Sequence, residues 1–230
     1  MKYKTALFCD NDKFAAESYC AIHNVDPELN IGDITTKNEH EVPDFNVMFG
    51  GSPCQDFSTA GHMGGAVWTC CSCGHTYNPL EQMPVHRSVC PKCGSSEVDK
   101  SRSSLLVEWL RFLREKKPRF AIYENVKNIV GKRFRRTFDL FIKEVESYGY
   151  NVYWKILNAK DYGIPQSRQR VYCVMIRKDM DNGNFRFPDP FPLTNTLSDL
   201  LDNDVDEKYY ISRKLIEKLT AAAKETENVC

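Results

Sequence analysis

The chain has 230 residues, 42% hydrophobic and 27% charged, with 31 Lys+Arg balancing 31 Asp+Glu. That length and mixture fit one sizeable α/β domain with room for a small insert. No apolar run approaches the roughly 20 residues that cross a bilayer, and the opening MKYKTALFCDND has no signal-peptide pattern. A membrane partner is therefore not expected, and a cytoplasmic location is. Without an export signal, the ten cysteines point to metal binding or catalysis rather than a disulfide framework.

In chain order, TALFC (Thr5 to Cys9) predicts a short strand and DKFAAESYCAIH a helix that Asp12 can cap. FNVMFGG predicts a buried strand running into a glycine turn. SSLLVEWLRFLREKK is an amphipathic helix with Leu105, Trp109 and Leu113 along one face, and Pro118 ends it. RFAIYENV predicts a strand. FRRTFDLFIKEVESYG is a helix with Phe134, Phe138, Phe141, Ile142 and Val145 at helical spacing, closed by Gly149. NVYWKILN and RVYCVMIR predict two further strands, and Ser212 caps a last helix, RKLIEKLTAAAKE. Strands alternating with helices predict a mostly parallel sheet covered on both faces. Between Arg111 and Arg136 the only acidic residues are Glu115 and Glu124, against many Lys and Arg. That run suits phosphate binding or an ordinary solvated face equally.

Residues Trp68 to Gly94 interrupt this rhythm with a polar, turn-rich, cysteine-rich stretch. Cys70 and Cys73 form one CxxC, and Cys90 and Cys93 form another, with Gly74 and Gly94 relaxing the two turns. Two such knuckles supply the tetrahedral four-sulfur shell that zinc prefers, closed and therefore structural. Cys71, His75 and His86 lie nearby as spare donors.

Several polar motifs remain. Cys54 follows a strand in GGSPCQDFS, Glu124 ends one in YENVKN, and Gln166, Arg168 and Arg170 precede one in PQSRQRVY. Asp10 and Asp33 follow the early segments, in FCDND and NIGDIT. Active sites of open α/β sheets collect at the carboxyl ends of strands. With RSSLLVEWLR and GYNVYWKILNAKDYGIP in order between them, these motifs resemble the DNA cytosine-5 methyltransferase family. The resemblance runs from about residue 5 to about residue 180, apart from the cysteine insert.

The resemblance implies a partial S-adenosylmethionine-dependent methyltransferase (Rossmann-like) sheet carrying an inserted four-cysteine zinc ribbon. It divides the chain into a catalytic core at 1–66 and 101–195, a ribbon at 67–100, and an acidic connector and helix at 196–230. It implies S-adenosylmethionine as methyl donor and double-stranded DNA as partner in a bacterial or phage-infected cell. Cys54 would add to C6 of a flipped-out cytosine, activating C5. Glu124 would hold the N3 edge, Arg170 the O2 side, and Arg168 the backbone or the Cys54 loop. Gln55, Ser58, Asn125, Val126 and Gln166 would line the substrate side. Asp10 would hold the ribose hydroxyls, with Asn11 where the family often has an adenine-stacking residue. Asp33 and Ile34 would meet the adenine edge, and Pro53 and Leu105 would complete the cofactor wall.

The family's first strand and Phe-x-Gly-x-Gly loop are expected ahead of Thr5, and a target-recognition region after the acidic connector. A fragment, a decayed gene product and one half of a split enzyme completed by another chain are the three readings of that shortfall. An inactive nucleic-acid-binding module and an RNA cytosine methyltransferase stand as alternatives to a DNA enzyme. The insert fills His62 to Arg102, where the family has a mobile loop, so a ribbon riding there is expected near the duplex.

Overall fold

The structure, a computed structural model, describes residues 4–53, 57, 65–101 and 105–227. Helix α1 (Lys13–His23) begins where the Asp12 carboxylate accepts a 2.9 Å hydrogen bond from the Ala15 amide, the cap its sequence predicts. The expected strand ahead of it is reduced to one parallel bridge, Phe8 to Asn30. The Phe8 N–H donates to Leu29 and the Ile31 N–H to Phe8, and among the described residues this segment has no second strand beside it.

The chain continues through β1 (Val47–Gly50), β2 (Trp68–Cys70), β3 (Thr76–Tyr77) and β4 (Val98–Lys100) to helix α2 (Leu106–Lys116). Then come β5 (Phe120–Val126), α3 (Arg135–Ser147), β6 (Tyr150–Asn158), β7 (Gln169–Arg177) and, near the end, α4 (Arg213–Glu227). Helix α2 stops at Lys117, which takes a left-handed φ of 44° ahead of Pro118.

The main sheet has the order β1–β5–β7–β6. Strand β1 runs parallel to β5, with Val47 opposite Phe120 and Gly50 opposite Tyr123. Both β5–β7 and β6–β7 are antiparallel, which corrects the expectation of a mostly parallel sheet. The α3 crossover does make β5 and β6 run the same way. They are not neighbours, because β7 returns from β6 through a short connection that holds only a single 3-10 turn, Ala159–Asp161, and slots between them in reverse. Only a reversal is open to so short a connection.

The two faces are unequally covered among the described residues. Ala121 and Tyr123 of β5 and Val171, Cys173 and Met175 of β7 point to one face, which α2 and α3 bury with Leu106, Leu110, Leu113, Phe138, Phe141 and Val145. Each buried Leu, Val, Phe or Met among them contributes about 1.5–3 kcal/mol. Tyr123 contacts the Trp109 ring at 5.2 Å and the Phe141 ring at 4.8 Å, joining both helices to the strand. On the opposite face Val47 and Phe49 remain 55% and 69% exposed.

Strands β3–β2–β4 form a separate antiparallel sheet, whose Trp68, Tyr77 and neighbouring Leu80 belong to the same core as α2 and α3. Arg87 fixes it in place. Its guanidinium donates to the Pro79 carbonyl at 2.7 Å and to both Glu144 oxygens of α3, at 3.1 and 2.6 Å. Asn78 donates to Thr137 at 3.0 Å, and Arg136 pairs with Glu81 at 2.9 Å. The basic run from Arg111 to Arg136 is thus partly neutralised by acidic partners, with Lys116–Asp44 and Arg135–Asp139 as further pairs.

Candidate active site

Strand β1 ends at Gly50, and the next residues turn against the end of β5. A Cβ at Gly51 would collide with the Glu124 carbonyl oxygen, so this backbone approach requires glycine. Beyond it, Ser52 is tied down by the buried Asn125. The Asn125 Nδ2 donates to the Ser52 carbonyl at 3.2 Å and to the Tyr123 hydroxyl at 2.9 Å, while its Oδ1 accepts from the Val126 N–H at 2.8 Å. Ser52 Oγ and Tyr123 Oη lie 2.7 Å apart. Burial pushes the Tyr123 phenol up to about 12, so its proton stays in this network at ordinary pH.

On the far side of Cys54, Phe57 is held by the next asparagine. Asn128 Nδ2 donates to the Phe57 carbonyl at 2.7 Å, and the fully buried Phe57 ring meets Phe134 edge-on at 5.1 Å. The expected nucleophile Cys54, with Gln55 and Ser58, lies outside the described residues. Pro53 is exposed beside Ser52. The motif YENVKN therefore holds the chain on both sides of the cysteine from one strand end.

Glu124 precedes Asn125 on the opposite, open face of β5. Arg170 of β7 reaches across, its Nε 3.1 Å from Glu124 Oε1, so the structure brings these two expected residues together. Val126, paired in register with Arg170, lies alongside. Arg168 and Gln166 are exposed. Asn158 accepts from the Arg168 N–H at 2.9 Å, and the Gln166 N–H donates to Ile164 at 2.6 Å, so each is placed through its backbone.

The residues expected on the cofactor side lie on the early loops. Asn30 clamps the Asp10 backbone at 3.1 and 3.0 Å, leaving the exposed Asp10 carboxylate to accept from the Asp12 N–H at 2.9 Å. Asn11 is exposed beside it. Asp33 caps a single 3-10 turn, Ile34–Thr36, accepting from the Thr35 N–H at 2.8 Å. That hydrogen bond holds the Asp33 carboxyl below the ordinary range. Leu105, partly buried, sits at the N-terminal cap of α2.

The four expected cysteines converge. Cys70, Cys73, Cys90 and Cys93 place all their sulfurs within 4.8 Å of one another, with Cys70–Cys93 at 3.5 Å and Cys73–Cys90 at 3.8 Å. The two knuckles have matching backbone: Gly74 N–H donates to Cys70 and Gly94 N–H to Cys90, both glycines having positive φ, 67° and 74°. Sulfurs about 3.8 Å apart are what a tetrahedral shell with bonds of about 2.3 Å requires.

Sequence reasoning overlooked Ser52, Tyr123, Asn128 and Arg111. Tyr123 reads as an ordinary inward strand residue, and its hydroxyl partner is seventy-one positions away. Asn128 carried a signal, being the second asparagine of YENVKN. In sequence, Arg111 is one cation among many in the run from Arg111 to Arg136.

The family described as C-5 cytosine-specific DNA methylase matches residues 1–69 and 92–229, leaving 70–91, within the cysteine segment, unmatched. The chain is 31% identical over 260 aligned positions to the orphan methyltransferase M.SPBetaI of Bacillus phage SPbeta, covering 99% of this chain and 59% of that protein. It is 37% identical over 187 positions to the type II methyltransferase M2.ScrFI of Lactococcus lactis subsp. cremoris, covering 81% and 43%. Thus the chain spans about three fifths or less of the length of these relatives. Among solved structures, a mutant of Spodoptera frugiperda DNMT2 shares its fold, with a TM-score of 0.60 and 18% identity over 94% of this chain and 58% of that one.

Proposed function

The chain belongs to the C-5 cytosine-specific DNA methylase family, and we propose that it transfers a methyl group to C5 of cytosine in DNA. S-adenosylmethionine would supply the methyl as an electrophilic sulfonium group. Asp10 is suited to its ribose hydroxyls and Asp33 with Ile34 to its adenine edge; these carboxylates are accessible on the early loops. Asn11, Pro53 and Leu105 complete the proposed wall.

Cys54 would attack C6 of the cytosine, a carbon reached only after the base leaves the stack. The observation that carries this reading is the pair of asparagines, Asn125 and Asn128, gripping the turn on either side of Cys54. Glu124 and Arg170 then form a compact pair on the open face, the carboxylate suited to the N3 and amine edge and the guanidinium to O2. Gln55, Ser58, Val126, Gln166 and Arg168 are the proposed surrounding contacts.

The four cysteines would hold one zinc ion with no open position, which supports a structural role. The unmatched 70–91 supports an insert at 67–100 between core segments 1–66 and 101–195, with 196–230 as a connector. Strand β1 pairs only with β5 among the described residues, and its exposed Val47 and Phe49 suit a complementing chain that adds a parallel strand there. No helix among the described residues is long and apolar enough to cross a membrane; phage and bacterial relatives support action in the cytoplasm.

The test is methyl transfer from labelled S-adenosylmethionine into duplex DNA and transfer RNA, with calorimetry of the cofactor. Label in DNA that disappears in Cys54→Ser, and a trapped adduct with 5-fluorocytosine DNA, are expected. Exclusive labelling of RNA would overturn the substrate. No heat and no transfer would leave a nucleic-acid-binding module.

A further inference from the structure

We propose that Arg111 is a positioning residue for the cofactor, locking the segment Asp33–Glu39 onto helix α2. This rests on the reading that Asp33 and Ile34 meet the adenine. The segment has little of its own to fix it. Its internal bonds are local, from Thr35 to the Asp33 carboxylate and from Thr36 and Lys37 to the carbonyls of Asp33 and Ile34, and none of the residues in its turn is buried.

Arg111 supplies the long-range attachment. Its Nη2 donates to the Ile34 carbonyl at 2.9 Å and its Nη1 to the Lys37 carbonyl at 2.8 Å. Nη1 also pairs with Glu39, and Nε donates to Glu108 at 2.8 Å. All three guanidinium nitrogens are therefore engaged, on a side chain only 22% exposed. Glu108 is buried and also meets Lys100 of β4 at 3.4 Å, so the carboxylate that aims Arg111 is itself fixed from two sides. His40 adds an outer pair to Glu115, at 2.9 Å. Two carbonyls more than seventy positions from Arg111 in sequence are thus gripped by one planar fork, a geometry the single ammonium of lysine cannot reproduce.

Arg111 is remote from the Glu124–Arg170 pair in its contacts, so its loss should act on cofactor binding and spare chemistry. Arg111→Met is expected to raise KM and Kd for S-adenosylmethionine roughly tenfold or more, with kcat at saturating cofactor and duplex affinity unchanged. Arg111→Lys should recover little, and the milder Glu39→Gln should shift KM in the same direction by less. Amide exchange at Thr36 and Lys37 should quicken in Arg111→Met while that of β5 and β7 stays slow. Wild-type cofactor affinity in a folded Arg111→Met, or an equal fall in cofactor affinity, kcat and duplex affinity, would overturn the proposal. Wild-type protein that takes up no cofactor would overturn the functional reading and the positioning role together. Quickened exchange would then mark Arg111 as a structural anchor alone.

Discussion

Asn125 shows how a family motif works as chemistry. At 1% exposure it must satisfy every polar atom, and it does so by bridging Ser52, Tyr123 and Val126 at the root of the cysteine turn. Asn125→Ala should cost about 1–3 kcal/mol, because the Ser52 carbonyl and Tyr123 hydroxyl lose a buried donor. Asn125→Asp should be at least as damaging, since a carboxylate facing the Ser52 carbonyl sets two acceptors together. Urea unfolding and steady-state kinetics would check both, with kcat expected to fall more than cofactor affinity. Wild-type turnover in a stable Asn125→Ala would show that the turn needs no such anchor. The asparagine was legible from its motif. Its partners were not, because a hydroxyl buried by packing carries no periodic signal.

Among elements, the cysteine segment gains most from the tertiary structure. The cysteine spacing predicts two knuckles meeting at one ion, and the four sulfurs do converge. The described contacts key the segment to α3 through Arg87 and Glu144, whose side chains are 6% and 10% exposed. Arg87→Met should cost about 3–5 kcal/mol by stranding a buried carboxylate. Arg87→Met with Glu144→Leu should regain much of that loss, because the uncompensated charge is gone. Denaturant titration of the two variants decides it; equal losses would mean packing, and not charge, governs this joint. Arg87 was invisible to sequence reasoning because its partner lies on a helix fifty-seven positions away.

For the whole molecule, the shared core sets the expected response to metal removal. Trp68, Tyr77 and Leu80 pack in one cluster with α2 and α3, so the ribbon should not unfold by itself. A strong zinc chelator should therefore lower the melting temperature of the chain in a single transition, followed by calorimetry and near-ultraviolet circular dichroism. Two separated transitions would refute a common core. The sheet carries the same lesson about non-local contacts. Helical spacing of Phe138, Phe141 and Val145 predicted α3, and apolar runs predicted β5, β6 and β7, since those signals repeat within a few residues. The cysteine spacing and the ordered motifs likewise identified the four-cysteine cluster and the family from the sequence by itself. Only the tertiary structure decided that β7 lies reversed between β5 and β6, that Val47 and Phe49 of β1 stay exposed among the described residues, and that Arg111 and Arg87 tie distant segments to the helices. Those outcomes depend on which surfaces meet after the chain collapses, and residues far apart in sequence leave no local pattern that fixes the meeting.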